Sequence, residues 1–227
     1  MTSAAVVGST GLVGSHILSQ LLTNSSISSV HAYTRRELPN PASTKLKTLS
    51  STDTTMWPSL FPTSPSPKIF FSGLGTTRGQ AGGVEAQRKI DLDLNFDLAK
   101  AAKDAGCTTY VLISSTSANS KSSIPYSKMK GELEDKVKEL GFKHTVFVRP
   151  GLIVGSREDS RPAEAIVRSI ASGLGKLSPM LVNSWAQDAG VIAKAAVNAG
   201  LQCEEGKNEG VWTVGQKEII ELGKEKN

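Results

Sequence analysis

Tyr126 and Lys130 stand four residues apart in the run Tyr126-Ser127-Lys128-Met129-Lys130, a spacing that sets both on one side of a helix, one turn apart. An ammonium beside a phenol favours the phenolate and so prepares the hydroxyl for proton transfer. Ser115 ends the apolar run that precedes them, where its hydroxyl can hold a carbonyl oxygen of a small-molecule substrate. Lys128 is the competing lysine, but two residues from Tyr126 it points to another face. These three groups can align a substrate and move a proton. A redox reaction also needs two electrons, which side chains of these types do not supply.

The source of those electrons is indicated nearer the start. An apolar run leads into Gly8-Ser9-Thr10-Gly11-Leu12-Val13-Gly14, and an amphipathic stretch follows. A strand, a glycine turn and a helix N-terminus in that order present backbone N–H groups to a pyrophosphate. Gly8 permits the turn, Gly11 lets phosphates approach, and Gly14 allows close helix–strand packing. The spacing is Gly-x-x-Gly-x-x-Gly, a departure from the usual Gly-x-Gly-x-x-Gly. About 20 residues on, where an acid would hold the ribose 2′-hydroxyl of NAD, stand Arg35 and Arg36. Guanidinium groups match a 2′-phosphate bidentately, so NADP(H) is the expected cofactor. Asp53 is placed to hydrogen-bond the adenine amine, Leu74, Gly75 and Thr76 to pass beneath the adenosine, and Lys130 to bind the nicotinamide ribose. Pro150, in Arg149-Pro150-Gly151, is placed to line the nicotinamide, with Gly155 further along the same bend.

The elements that must position these residues alternate. Apolar, β-rich runs at 5–7, 30–33, 47–49, 69–71, 110–113, 145–148 and 211–214 predict strands; amphipathic stretches at 13–22, 84–105, 126–140, 162–172 and 185–199 predict helices. Within 126–140, the apolar positions Tyr126, Met129, Leu133, Val137 and Leu140 predict one buried face. Residues 37–68, rich in Pro, Ser and Thr, predict a short strand, one turn near 56–61 and a surface loop. The pattern is that of an α/β fold: a Rossmann-type doubly wound parallel sheet of about seven strands with helices on both faces.

Length and composition agree. The 227 residues form one expected domain, 38% hydrophobic and 21% charged, with residues 156–185 as a segment covering the substrate. Arg157, Arg161 and Arg168 in that segment are available to an anionic group. Two cysteines, Cys107 and Cys203, make no disulfide framework and fit a reducing compartment. His16, His31 and His144 are scattered, so no metal site is expected. The net charge of +5 suits an anionic cofactor or membrane surface, while no basic stripe interleaved with aromatics points to nucleic acid. No run is long enough to span a bilayer. The first strand begins at the start of the chain, so a cleavable presequence is not expected.

Together, residues 8–14, Arg35-Arg36, the run 73–79, Tyr126-x-x-x-Lys130 and Arg149-Pro150-Gly151 resemble the atypical short-chain dehydrogenases. Gln87-Arg88-Lys89-Ile90-Asp91 and Ser160-Arg161-Pro162-Ala163-Glu164 narrow the resemblance to the fungal "found in mitochondrial proteome" reductase-like proteins; the human HIV Tat-interacting oxidoreductase is similar at greater distance. The resemblance implies a seven-stranded doubly wound fold, NADP(H), Tyr126 as proton donor or acceptor and Lys130 as cofactor-binding base. It also implies a monomer or homodimer on the cytosolic face of the mitochondrial outer membrane, held peripherally. Where larger extended relatives carry a relay asparagine, this chain has Asp91, and their carboxyl-terminal substrate region is cut short here, which disfavours sugar nucleotides. The leading expectation is reduction of a small carbonyl or enone compound. The alternatives are an NADP(H)-binding regulatory or redox-sensing protein without turnover, and an isomerase or epimerase on the same fold.

Overall fold

The computed structural model describes residues 1–38, 43–154 and 186–224. Its strands are β1 (Thr2–Val7), β2 (Ile27–Thr34), β3 (Leu46–Ser50), β4 (Ile69–Ser72), β5 (Thr109–Ile113), β6 (His144–Val148), β7 (Leu152–Val154), β8 (Ala186–Asp188) and β9 (Gly210–Val214). The helices are α1 (Leu12–Thr23), α2 (Arg78–Ala81), α3 (Val84–Arg88), α4 (Asn95–Asp104), α5 (Pro125–Glu139), α6 (Ala189–Glu204) and α7 (Gln216–Gly223). Seven strands form one sheet in the order β3-β2-β1-β4-β5-β6-β9, and every pairing is parallel. The order reverses between β1 and β4, so the crevice for a ligand opens at their carboxyl ends.

Both faces of the sheet centre are covered, which is why β4, β5 and β6 are buried along their whole length. Alternate β1 residues divide between two cores. Ala4 and Val6 pack with Ile17 and Leu18 of α1 and Ile192 and Ala196 of α6. Ala5 and Val7 pack with Leu98 of α4, Leu133 and Val137 of α5, and the aromatic group Tyr33, Trp57, Phe61 and Phe70. The doubly wound sheet expected from sequence is therefore present.

Several local expectations change. The predicted helix 84–105 is two helices joined by a π-helical turn, Lys89–Leu94. The turn expected near 56–61 is two 3₁₀ turns, Thr54–Met56 and Pro58–Leu60. The helix expected at 185–199 is α6, which starts at Ala189 because Asp188 caps it, accepting from the N–H groups of Gly190 and Val191. β7 and β8 form a separate parallel pair, and α7 extends the fold past the last predicted strand. Tyr126 does not belong to the buried face of α5: it is 40% exposed, whereas Met129, Leu133 and Val137 are buried. It lies in the first turn of α5, next to the exposed Ile124 and Pro125 rather than over the sheet. The predicted helix 162–172, the covering segment 156–185 and Gly155 lie outside the described residues.

Two devices fix α5 against the sheet edge. Buried Glu134 accepts from Arg149 Nε at 2.9 Å, forms an ion pair with the Arg149 guanidinium, and accepts from Ser114 Oγ at 2.6 Å. This ties α5 to the ends of β5 and β6. Gly131 lets the helix touch the backbone of the loop after β5: a Cβ there would overlap the Ser120 nitrogen and the Asn119 carbonyl carbon. Gly131→Ala is expected to lower stability by about 1–3 kcal/mol through overpacking, while Gly79→Ala, with nothing near its added methyl, should be neutral or slightly stabilising; equal thermal midpoints would refute the close approach. Arg149→Met should strand the Glu134 charge and cost about 3 kcal/mol in urea denaturation, with most of it restored in Arg149→Met/Glu134→Leu.

Candidate active site

The glycine turn is built without side chains where backbone meets backbone. Gly8 has φ +78°, and a Cβ on it would lie 2.5 Å from the Gly73 carbonyl carbon. A Cβ on Gly14 would overlap the Gly8 carbonyl oxygen, and one on Gly11 would lie 3.0 Å from the same oxygen. α1 thus begins hard against the end of β1, and the loop after β4 passes directly beside it. The first turn of α1 has no side-chain cap and no acidic residue, so its positive end suits an anion. Ser9 is buried and its hydroxyl donates to the Tyr33 carbonyl at 2.6 Å, which leaves only its backbone for a ligand. Thr10 and Leu12 are half-buried, and Val13 is buried in the core. The residues present fit a dinucleotide pyrophosphate.

Arg35 and Arg36 follow the last residue of β2, and both are exposed. Thr34 shapes this end: its hydroxyl donates to the Arg36 carbonyl and accepts from the Arg36 N–H. Asp53 is also exposed. Its carboxylate caps a 3₁₀ turn, accepting from the Thr55 hydroxyl at 2.7 Å and amide at 2.9 Å, and these bonds hold it below the usual carboxylate range. The adenine role expected of Asp53 is thus preceded by a local structural one.

After β4, Leu74 is half-buried and Gly75 exposed, while the Thr76 N–H donates to Asp91 Oδ1 at 2.7 Å. Asp91 is 1% exposed and also accepts from Gln87 Nε2 at 3.1 Å; Gln87 Nε2 in turn donates to the Thr76 carbonyl at 2.9 Å. Burial raises the Asp91 carboxyl above its ordinary range, opposed by the charge of Lys130 and by the Thr76 and Gln87 bonds. Lys130 is itself 4% exposed, and its ammonium donates to the Ile113 carbonyl at 3.4 Å. Tyr126 lies one turn nearer the solvent on the same side of α5, while Lys128 is exposed on another. Ser115 is half-buried at the end of β5, its Oγ 3.0 Å from Ser117 Oγ, which accepts from Ser127 Oγ at 3.0 Å. Pro150 is buried, and its carbonyl accepts from the Thr116 N–H at 2.9 Å.

The sheet therefore brings the glycine turn, the loop 73–77, Ser115 and Pro150 to its carboxyl edge, and α5 carries Tyr126 and Lys130 to the same edge. Sequence reasoning missed Gln87, Asn95, Ser114 and Glu134 as parts of this framework. Glu134 had a signal, since it continues the four-residue spacing of Tyr126 and Lys130; Asn95 had none. Among the described residues no group of three His, Cys, Asp or Glu side chains could hold a metal ion.

Comparison with known proteins agrees with this geometry. Residues 4–185 match the family model described as "NAD dependent epimerase/dehydratase family". The chain is 54% identical to "Protein fmp52-1, mitochondrial" of Aspergillus terreus, over 99% of this chain and 100% of that one. It is 47% identical to "Protein fmp-52, mitochondrial" of Neurospora crassa, over 99% and 96%. Among solved structures, "MoeE5 in complex with UDP-glucose and NAD" aligns with a TM-score of 0.68 at 17% identity, covering 97% of this chain and 80% of that one. A short chain dehydrogenase family protein from Francisella tularensis aligns at 0.67 and 14%, covering 96% and 98%. With a glycine cradle at the switch point of a parallel sheet, a Tyr-x-x-x-Lys helix at its edge and matches over nearly the whole chain, this protein belongs to the NAD-dependent epimerase/dehydratase family of Rossmann-type oxidoreductases, within its fungal group of fmp52 proteins.

Proposed function

We propose that the chain is an NADP(H)-dependent oxidoreductase that reduces a small carbonyl or enone compound. The observation that carries this reading is a buried lysine, Lys130, one helical turn beneath the half-exposed phenol of Tyr126, beside a cradle that fits a dinucleotide. Residues 8–14 receive the pyrophosphate on backbone N–H groups. Arg35 and Arg36 take the 2′-phosphate, Asp53 reaches the adenine, Leu74, Gly75 and Thr76 pass the adenosine, and Pro150 lines the nicotinamide. The bound nicotinamide supplies the hydride chemistry. Ser115 Oγ holds the substrate carbonyl oxygen by a hydrogen bond, Tyr126 Oη gives that oxygen its proton, and the Lys130 ammonium stabilises the phenolate left behind and binds the nicotinamide ribose.

Homologues named mitochondrial support a mitochondrial setting; peripheral association with the cytosolic face of the outer membrane is carried by the family resemblance alone. Asp91, in the place of the relay asparagine, favours a second reading: an NADP(H)-binding regulatory protein without turnover. The two differ in whether any carbonyl is consumed.

Titration of the purified protein with each cofactor, followed by nucleotide fluorescence, tests the first step. Replacing Arg35 and Arg36 together by Ser is expected to weaken NADPH binding at least about tenfold, the loss of a charge-assisted pair, and to leave NADH binding nearly unchanged; equal losses would show that the pair does not read the phosphate. Tyr126→Phe should keep NADPH affinity and abolish NADPH-driven reduction of phenanthrenequinone, a loss of about a hundredfold or more. Turnover that survives the substitution would remove Tyr126 as proton donor, and tight binding with no wild-type turnover of carbonyl compounds would favour the regulatory reading.

A further inference from the structure

The loop after β5 carries a chain of three hydroxyls. Ser115 opens a tight turn, its carbonyl accepting from the Ala118 N–H at 3.0 Å. The turn brings Ser117 back onto Ser115: the Ser117 N–H donates to Ser115 Oγ at 3.3 Å, and the two hydroxyl oxygens lie 3.0 Å apart. Ser127, beside Tyr126 in the first turn of α5, donates from its own Oγ to Ser117 Oγ at 3.0 Å. The Asn119 N–H donates to the Ser127 carbonyl at 2.9 Å, which holds loop and helix together at the same place. The chain thus runs from the helix that carries Tyr126, through Ser117, to Ser115.

Its direction follows from counting hydrogens. Each serine hydroxyl has one hydrogen to give and two lone pairs with which to accept. Ser127 is 4% exposed, and a buried hydroxyl is costly unless it donates; the Ser117 oxygen takes its hydrogen. A hydroxyl that accepts is polarised to donate in turn, and Ser115 Oγ is the neighbour at 3.0 Å. Donation from Ser117 completes the chain. Ser115 Oγ then receives two hydrogens, one from the Ser117 hydroxyl and one from the Ser117 amide. With both lone pairs filled, Ser115 meets any further group as a donor only. A carbonyl oxygen, which accepts and cannot donate, is matched to it.

We infer that Ser117 and Ser127 are positioning residues for the proposed reduction: their hydroxyls, in sequence, set the Ser115 O–H as a fixed donor to the substrate carbonyl oxygen. The inference rests on the reading of Ser115 given under the proposed function. Without the chain, Ser115 is equally free to accept, and its rotor must be reset before each turnover. Because Ser127 neighbours Tyr126, the chain also keeps the aligning hydroxyl in step with the helix that carries the proton donor.

Steady-state reduction of phenanthrenequinone by the full chain tests the role, with Ser117→Ala, Ser127→Ala and the two together. Each single change is expected to lower kcat about threefold to tenfold, the worth of one oriented hydrogen bond, while the KM for NADPH stays within about twofold. Either change breaks the chain, so the double variant should lose no more than about twofold beyond the worse single one. Ser117→Thr, which returns a hydroxyl to an exposed position, should recover most of kcat. In a Ser115→Ala background, Ser117→Ala should change kcat by less than about twofold, since it acts only through the lost hydroxyl. A further loss in that background assigns Ser117 to holding the loop and overturns the inference, as do wild-type kcat in the single variants, a loss confined to KM, or single losses that multiply in the double variant.

Urea denaturation of the same variants tests the chain without turnover. Ser117→Ala leaves the buried Ser127 hydroxyl without its acceptor, and the double variant removes both. The double variant should therefore unfold at least about threefold less readily than the two single effects combined predict; a smaller coupling overturns the chain. A wild-type protein that does not reduce the quinone counts against the carbonyl-reductase reading instead, and the denaturation cycle still decides whether the hydroxyls are linked.

Discussion

The meeting of three backbones at Gly8, Gly14 and Gly73 sets the geometry on which the rest of the site depends. At this point β1 ends, α1 begins and the loop after β4 passes; a Cβ on Gly8 or Gly14 would overlap backbone, and one on Gly73 would lie 3.2 Å from the Gly14 Cα. Because α1 sits directly on the Gly8 carbonyl, its positive end opens at the carboxyl edge of the sheet instead of being displaced outward. Because Gly73 packs on the same junction, the loop 73–77 must leave β4 beside the cradle. The close approach thus fixes two walls of the crevice. Its chain-order origin is plain: β1 and β4 are neighbours across the switch point, so the connection that follows each must diverge to opposite faces.

The third wall is α5, and it is held by charge as much as by apolar packing. Met129, Leu133 and Val137 supply the core contact, but a helix resting on such residues alone can rotate or slide at modest cost. Lys130 and Glu134, one turn apart and both buried, remove that freedom, since either would lose its partners on rotation. Glu134 is satisfied by Arg149 at the end of β6 and Ser114 at the end of β5. Gly131 between them admits the loop 114–124 against the helix, and the Asn119 N–H donates to the Ser127 carbonyl. Buried ion pairs contribute little net stability compared with apolar packing; what this one supplies is a single orientation for the helix face that carries Tyr126.

The sheet was legible in the sequence because its central strands β4, β5 and β6 are buried on both faces and read as short, largely apolar runs between polar connections; the edge strands β3 and β9 are largely exposed and read more weakly. The cradle was legible because glycine is the one residue that its backbone contacts allow. The site's framework was harder to read. The wide turn at Lys89–Leu94 leaves the amphipathic pattern of 84–105 nearly intact, and it depends on the Asn95 amide, whose partners are set by the fold and not by neighbours in sequence. Tyr126 fits the apolar spacing of α5 but falls in its exposed first turn, so periodicity placed it in the core when its position places it at the crevice. β7 and β8, three residues each, are too short to show alternation, and α7 is a two-turn helix whose clearest mark is Glu218 reaching back to the Gly215 N–H.

The proposed preference for NADP(H) belongs to a different kind of position from the cradle. Gly8 and Gly14 are held by backbone contacts that an added Cβ would overlap, so the shape of the cradle is tied to the packing of β1, α1 and the loop after β4. Arg35 and Arg36 stand exposed past the end of β2, where a guanidinium or a carboxylate is accommodated with little effect on packing. A carboxylate there would accept from a ribose 2′-hydroxyl and repel a 2′-phosphate; two guanidinium groups do the reverse. The family match therefore speaks for the cradle, and the choice between the two nicotinamide nucleotides rests on this pair of side chains. It is the part of the site that sequence reads most directly, since the relevant charges are adjacent in the chain and Thr34, through its two bonds to Arg36, shapes the backbone that presents them.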